Sequence, residues 1–119
     1  MAHRKTQSPT ETGTQELRRG AIVLAILARL KTKHYGYSLR EELAAGGLVV
    51  NEGTLYPLLR RLESQGLLTS DWDLGTGRPR RYYQLSPTGR RTLADLTTEW
   101  QSLVEVIELM LAPEGENRP

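Results

Sequence analysis

The chain has 119 residues, among them 16 Lys and Arg, 14 Asp and Glu and no cysteine; that length suits one compact domain, and without thiols there are no disulfides, thiolate metal sites or cysteine nucleophiles. The formal charge of +2 hides an asymmetry, because residues 1–91 carry fifteen of the bases and eight of the acids while residues 92–119 carry one base and six acids. A basic body of this kind suits a polyanion, and an acidic segment after it suits contact with protein. The longest apolar run, Ala21 to Ala28, falls well short of the roughly 18 to 20 residues that cross a bilayer. Residues 1–13 also lack the apolar core of a secretion signal, so the expectation is a cytoplasmic protein with no membrane partner.

Residues 1–14 are polar and without apolar period, which predicts a flexible arm whose His3, Arg4 and Lys5 are within reach of phosphate. From Gln15 to Lys31, Leu17, Ala21, Leu24, Leu27 and Ala28 follow helical spacing, and Ile22, Val23, Ile26 and Leu30 widen the apolar face until it needs more than one neighbour. A short second helix is predicted over Tyr37 to Ala45, with Leu39 and Leu43 one turn apart and Gly46-Gly47 as its stop. Leu48 to Val50 leads to Asn51, a good N-cap, and Leu55, Leu58, Leu59 and Leu62 then form one stripe closed by Gly66-Leu67. Pro57 places the start of this third helix close by, since proline is tolerated near a first turn.

Leu67 to Trp72 and Arg80 to Ser86 read as two strands around the turn Gly75 to Pro79, with Tyr83 and Leu85 inward on the same face as Arg81. Ser86 and Pro87 open a last helix that runs to about Leu111, roughly 37 Å long. The expected architecture is mainly α with a small two-stranded β-wing. It comprises the arm (1–14), a winged helix-turn-helix (15–86), a long C-terminal dimerisation helix (87–112) and a tail (113–119).

Three short helices followed by a basic hairpin make the third helix the candidate reader of DNA. With its leucines inward, it shows Thr54, Tyr56, Pro57, Arg60 and Arg61 to a groove about 12 Å wide; Tyr37, at the start of the second helix, joins this candidate set. In the hairpin, Arg78, Arg80 and Arg81 are the expected phosphate contacts, part of an acid-free stretch from Thr76 to Arg91. Along the last helix, Leu93, Leu96, Trp100, Leu103, Ile107 and Met110 alternate spacings of three and four, the seam of a homodimer that Leu17 is expected to join. Two copies would set their reader helices about 34 Å apart, one turn of duplex, on an inverted-repeat operator.

Catalysis finds no constellation: His3 and His34 have no second ligand at zinc spacing, and Gly75-Thr76-Gly77 opens no helix. No catalytic residue, metal or cofactor is expected. The reading from a different class is a winged-helix adaptor that contacts protein without specific DNA binding.

The segments GTLYPLLRRLESQGLL (53–68), GRPRRYYQL (77–85), SPTGRRTL (86–93) and HYGYSLREEL (34–43) resemble the PadR family of bacterial transcriptional regulators. Leu48 to Asn51 is a lead individual to this chain. The resemblance spans about residues 17–111, and the single last helix is similar to the family's short subfamily. It implies a dimeric winged helix-turn-helix protein that represses an inverted-repeat operator until a small molecule releases it. In some members of that subfamily paired tryptophans at the dimer interface hold aromatic compounds, which makes Trp100 the matching position for a small aromatic effector.

Overall fold

Ser8 starts the first helix: its side chain accepts the Glu11 amide at 3.1 Å, and Pro9 occupies the first position, where a missing N–H costs nothing. The computed structural model describes residues 6–75 and 77–115, and the element order is α1 (Pro9–Arg29), β1 (His34–Tyr35), α2 (Gly36–Ala45), α3 (Glu52–Ser64), β2 (Leu68–Asp73), β3 (Arg80–Leu85) and α4 (Pro87–Leu111). The helix therefore begins inside the expected arm, six residues before Gln15. His3, Arg4 and Lys5 lie outside the described residues.

The core joins Ile26, Leu27 and Leu30 of α1 and its C-cap to Leu39 and Leu43 of α2, Leu55, Leu59 and Leu62 of α3, and Leu68, Tyr83 and Leu85 of the strands. Each fully buried aliphatic side chain contributes on the order of 1.5–3 kcal/mol. Leu93 of α4 is only 6% exposed and belongs to this core. It is therefore not open to a partner as the heptad spacing suggests, because α4 starts against the end of α1 before it leaves the body.

Two turns with the same chemistry fix α3. At the end of α2, Gly47 (φ 102°) lets Leu48 N–H reach Leu43 O at 2.8 Å; at the end of α3, Gly66 (φ 81°) lets Leu67 N–H reach Leu62 O at 3.0 Å. Only glycine adopts that left-handed φ without strain. Pro57 is the sixth residue of α3 and lies inside it, further in than the sequence suggests; the carbonyl it leaves without an amide belongs to Gly53, which is exposed.

The expected hairpin forms with Leu68 opposite Leu85 and Asp73 opposite Arg80, and Tyr83 and Leu85 point inward as the alternation predicts. A third strand, β1, pairs antiparallel with β3 through His34–Tyr83 and Tyr35–Tyr82, so the sheet order is β1-β3-β2. Two residues carry no readable alternation, which is why the sequence shows only the hairpin.

The chain is far from spherical. Its Cα radius of gyration is 18.0 Å and its extents are 62 × 50 × 25 Å, against about 13.5 Å expected for a compact domain of this length. The first half of α1 and most of α4 beyond Leu93 stand out from the core as exposed helix. Among the described residues no helix is long and apolar enough to cross a membrane.

Gly89 sits where α4 meets the end of α3. A Cβ there would lie 2.0 Å from the Leu67 carbonyl oxygen. Alanine is the better helix former by about 1 kcal/mol, so any loss must come from this collision. Gly89→Ala is expected to lower stability by about 1–3 kcal/mol in a denaturant melt at fixed protein concentration; an unchanged or raised midpoint contradicts the packing.

Candidate nucleic-acid interface

The N-terminus of α3 is held from two sides. Asn51 Oδ1 accepts the Thr54 amide at 2.9 Å, capping the helix. From α2, Arg40 donates Nε to Val50 O at 3.3 Å and pairs with Glu52 at 3.1 Å. Gly36, at the start of α2, lies so close to the Tyr56 ring that a Cβ would approach its Cε1 to 2.4 Å. Tyr56 is accordingly half-buried against the core, not free on the groove-facing surface as helical phase suggests. Its ring spaces α2 from α3.

Thr54, Pro57, Arg60 and Arg61 are exposed on α3. The acids that could neutralise the two arginines are engaged elsewhere: Glu42 pairs with Arg29 at 2.8 Å, and Glu63 with Arg81 at 3.3 Å. Among the described residues Arg60 and Arg61 form no ion pair. Tyr37 is exposed on α2, and a hydrogen bond to the Glu41 carboxylate raises its hydroxyl pKa.

In the wing the three candidate arginines separate. Arg78 is exposed and unpaired among the described residues. Arg80 stacks over Tyr35 at 4.1 Å and lies 3.8 Å from Asp73, with more than half its side chain still exposed. Arg81 is turned inward: it donates Nε to Ser70 Oγ at 3.0 Å and pairs with Glu63 of α3, while Ser70 also donates to Glu63. Its guanidinium is therefore committed to tying the wing to α3 and is not available as the phosphate contact expected of it.

Burial pushes the Tyr83 hydroxyl up in pKa, and the Arg81 and Arg60 charges work against that rise. On the opposite face of the sheet Tyr35 donates to Asp73. That bond, then the Gly75 amide and the charges of Arg80 and Lys33, hold the Asp73 carboxyl below its usual range despite some desolvation. Lys33 Nζ lies 4.4 Å from the Tyr82 ring centre, and Tyr35 meets Tyr82 edge-on. Sequence reasoning misses Lys33, Tyr35 and Tyr82, which meet only because β1 joins the sheet.

The residues of the expected α4 seam other than Leu93 are exposed: Leu96, Trp100 (46%), Leu103, Ile107 and Met110 lie along one side of the helix, and Leu17 on α1 is 82% exposed. Among the described residues no group of His, Asp and Glu could hold a metal ion.

Residues 23–95 match the model of the transcriptional regulator PadR-like family. A transcriptional regulator of Mycobacterium tuberculosis is 40% identical over 98 residues, covering 82% of this chain and 89% of the relative. Among solved structures, a PadR family transcriptional regulator from Eggerthella lenta is 43% identical with a TM-score of 0.81, over 92% of this chain and 94% of that one. A PadR-like transcription factor from Bacteroides fragilis is 35% identical with a TM-score of 0.71, over 83% and 98%.

The arginines differ in what their removal does to the fold. Arg60→Ala and Arg61→Ala are expected to leave stability within about 0.5 kcal/mol. Arg81→Ala, which frees Glu63 and Ser70 together, is expected to cost about 1 kcal/mol after allowing for its partial exposure. Chemical denaturation of the three variants checks the contrast, and equal losses would contradict it.

Proposed function

This chain belongs to the PadR-like family of transcriptional regulators, and on that premise we propose that it binds double-stranded DNA as a homodimer and represses an inverted-repeat operator. The observation that carries this reading is the set of exposed guanidinium groups on the open side of α3 and at the wing tip, Arg60, Arg61 and Arg78, which form no ion pair among the described residues. Cations left without carboxylate partners on a helix and an adjoining hairpin favour a phosphate backbone, whose counterions they release. Thr54 and Pro57 share that side of α3, and the hydroxyl supplies a hydrogen bond to a base edge or a phosphate.

Dimerisation is supported by the exposed apolar seam of α4. A helix with Leu96, Trp100, Leu103, Ile107 and Met110 open to water gains most by meeting a second copy of itself. An isologous pair repeats each contact and presents two α3 helices to successive major grooves about 34 Å apart. Within this reading Trp100, in the middle of the seam, is the surface on which a planar aromatic effector stacks and relieves repression.

The test is a titration of labelled duplex taken from just upstream of the chain's own gene, at roughly 50 and 200 mM salt. Affinity is expected to fall steeply between the two, and Arg60→Ala with Arg78→Ala is expected to reduce the salt slope by about one for each phosphate no longer neutralised. No retention of duplex at the lower salt would favour the adaptor that contacts only protein. Sedimentation of Leu103→Asp is expected to show a monomer with weakened duplex binding. Quenching of indole fluorescence by a panel of planar aromatic compounds, abolished in Trp100→Ala, checks the effector surface.

A further inference from the structure

Trp72 is 52% exposed at the outer end of β2 and takes no part in the core. Its placement is specific. Strand alternation turns Ser70 and Trp72 to one face of the wing and Asp71 and Asp73 to the other. The first face is the one toward α3, because Ser70 bonds Glu63 of that helix and Tyr83, opposite Ser70, is buried in the core. Both wing carboxylates therefore turn away from α3.

On the face toward α3, Trp72 stands directly opposite Arg81, whose guanidinium lies 5.5 Å from the indole centre. Arg81 is itself fixed by Ser70 and Glu63, so the ring rests on an anchored cation. Arg60 lies close enough to Tyr83 for its charge to act on that hydroxyl. A strip thus runs from the exposed Arg60 of α3, past the buried Tyr83, to Arg81 and Trp72, and its carboxylate, Glu63, is already neutralised by Arg81. A large apolar ring held in the open, at the end of a cationic strip with no free acid, fits a partner that offers both negative charge and apolar surface. A DNA groove does so, with phosphates at its edges and deoxyribose along its walls.

We propose that Trp72 is a DNA contact, its indole packed on the deoxyribose wall of the groove beside the one that α3 enters, with Arg81 as the positioning residue that holds it there. The inference rests on the DNA-binding reading above. It gives the wing an apolar contact that displaces no counterions and is insensitive to sequence, alongside the phosphate contact of Arg78.

The experiment uses the full chain, unsubstituted for affinity and carrying Trp100→Phe for emission, which leaves Trp72 as the sole indole, with a fluorescein-labelled 30-base-pair duplex of mixed sequence at roughly 50 mM salt. Anisotropy of the label reports binding, and indole emission reports Trp72 in the same titration. At saturation Trp72 emission is expected to drop and its quenching by acrylamide to fall about twofold or more, as for an aromatic ring covered by nucleic acid. Trp72→Ala is expected to raise Kd roughly tenfold with the salt slope unchanged, and Trp72→Phe to restore most of the affinity. Saturating anisotropy with unaltered Trp72 emission and acrylamide access overturns the placement while leaving DNA binding intact. A weakening in Trp72→Ala that Trp72→Phe does not restore, or that lowers the salt slope, also overturns it. Absence of any anisotropy change with the unsubstituted chain overturns the DNA reading itself and this inference with it.

Discussion

The close approach of Gly89 to the Leu67 carbonyl is the constraint on which the arrangement of the helices depends. Around it, Ser86 donates its hydroxyl to Gly66 O at 2.6 Å and accepts the Gly89 amide at 2.9 Å, while its own amide reaches Leu67 O at 3.0 Å. The stop of α3, the start of the wing and the cap of α4 are thus one hydrogen-bonded knot. The end of α1 joins the same knot, since Leu85 N–H reaches Leu30 O at 2.8 Å and Arg90 donates to Lys31 O at 3.1 Å. Polar groups so nearly buried are costly to leave unpaired, so the four elements meet at a fixed angle or not at all.

A second constraint governs the surface. Glu42 is held by Arg29, Glu52 by Arg40, Glu63 by Arg81, and Asp73 by Tyr35 and Arg80. Exposed ion pairs of this kind add little to stability. Their effect lies in the charge pattern they leave: these carboxylates of the body are matched internally, and among the described residues the exposed Arg60 and Arg61 of α3 and Arg78 of the wing form no ion pair.

What the chain reveals by itself, and what it does not, divides along the range of the interactions. The leucine stripe from Leu55 to Leu62, the Asn51 and Ser86 caps and the glycine stops are local, so each of these elements is legible in place and type. The start of α1 escapes although Ser8-Pro9 is itself a cap signal, because residues 9 to 14 bury nothing and show no apolar period. Leu93 continues the spacing of the α4 seam, yet the helix has not cleared the body at that point, and periodicity alone does not mark where a helix leaves its core. Helical phase puts Tyr56 outward, and the acid-free basic hairpin marks Arg81 as a phosphate contact; their partners, Gly36 and Glu63, lie 20 and 18 residues away in sequence, and no local pattern carries that information. β1 has no meaning until β3 exists to pair with it.

The knot at Gly89 also decides how the two ends of the molecule can influence each other. Trp100 lies eleven residues along α4 from Gly89, about 16 Å at helical rise, and the stretch between them is unbroken α-helix. A helix of this kind transmits tilt far better than it absorbs it. Because α4 is joined to α3 through Ser86 and Gly66 without an intervening flexible linker, a rearrangement of two α4 helices around Trp100, in the dimer proposed above, would not be taken up locally without breaking those bonds. In the proposed dimer it would emerge as rigid-body rotation of each winged body, changing the separation of the two α3 helices and therefore their fit to successive grooves. The same stiffness would make an apolar seam on α4 and a cationic face on α3 parts of one device.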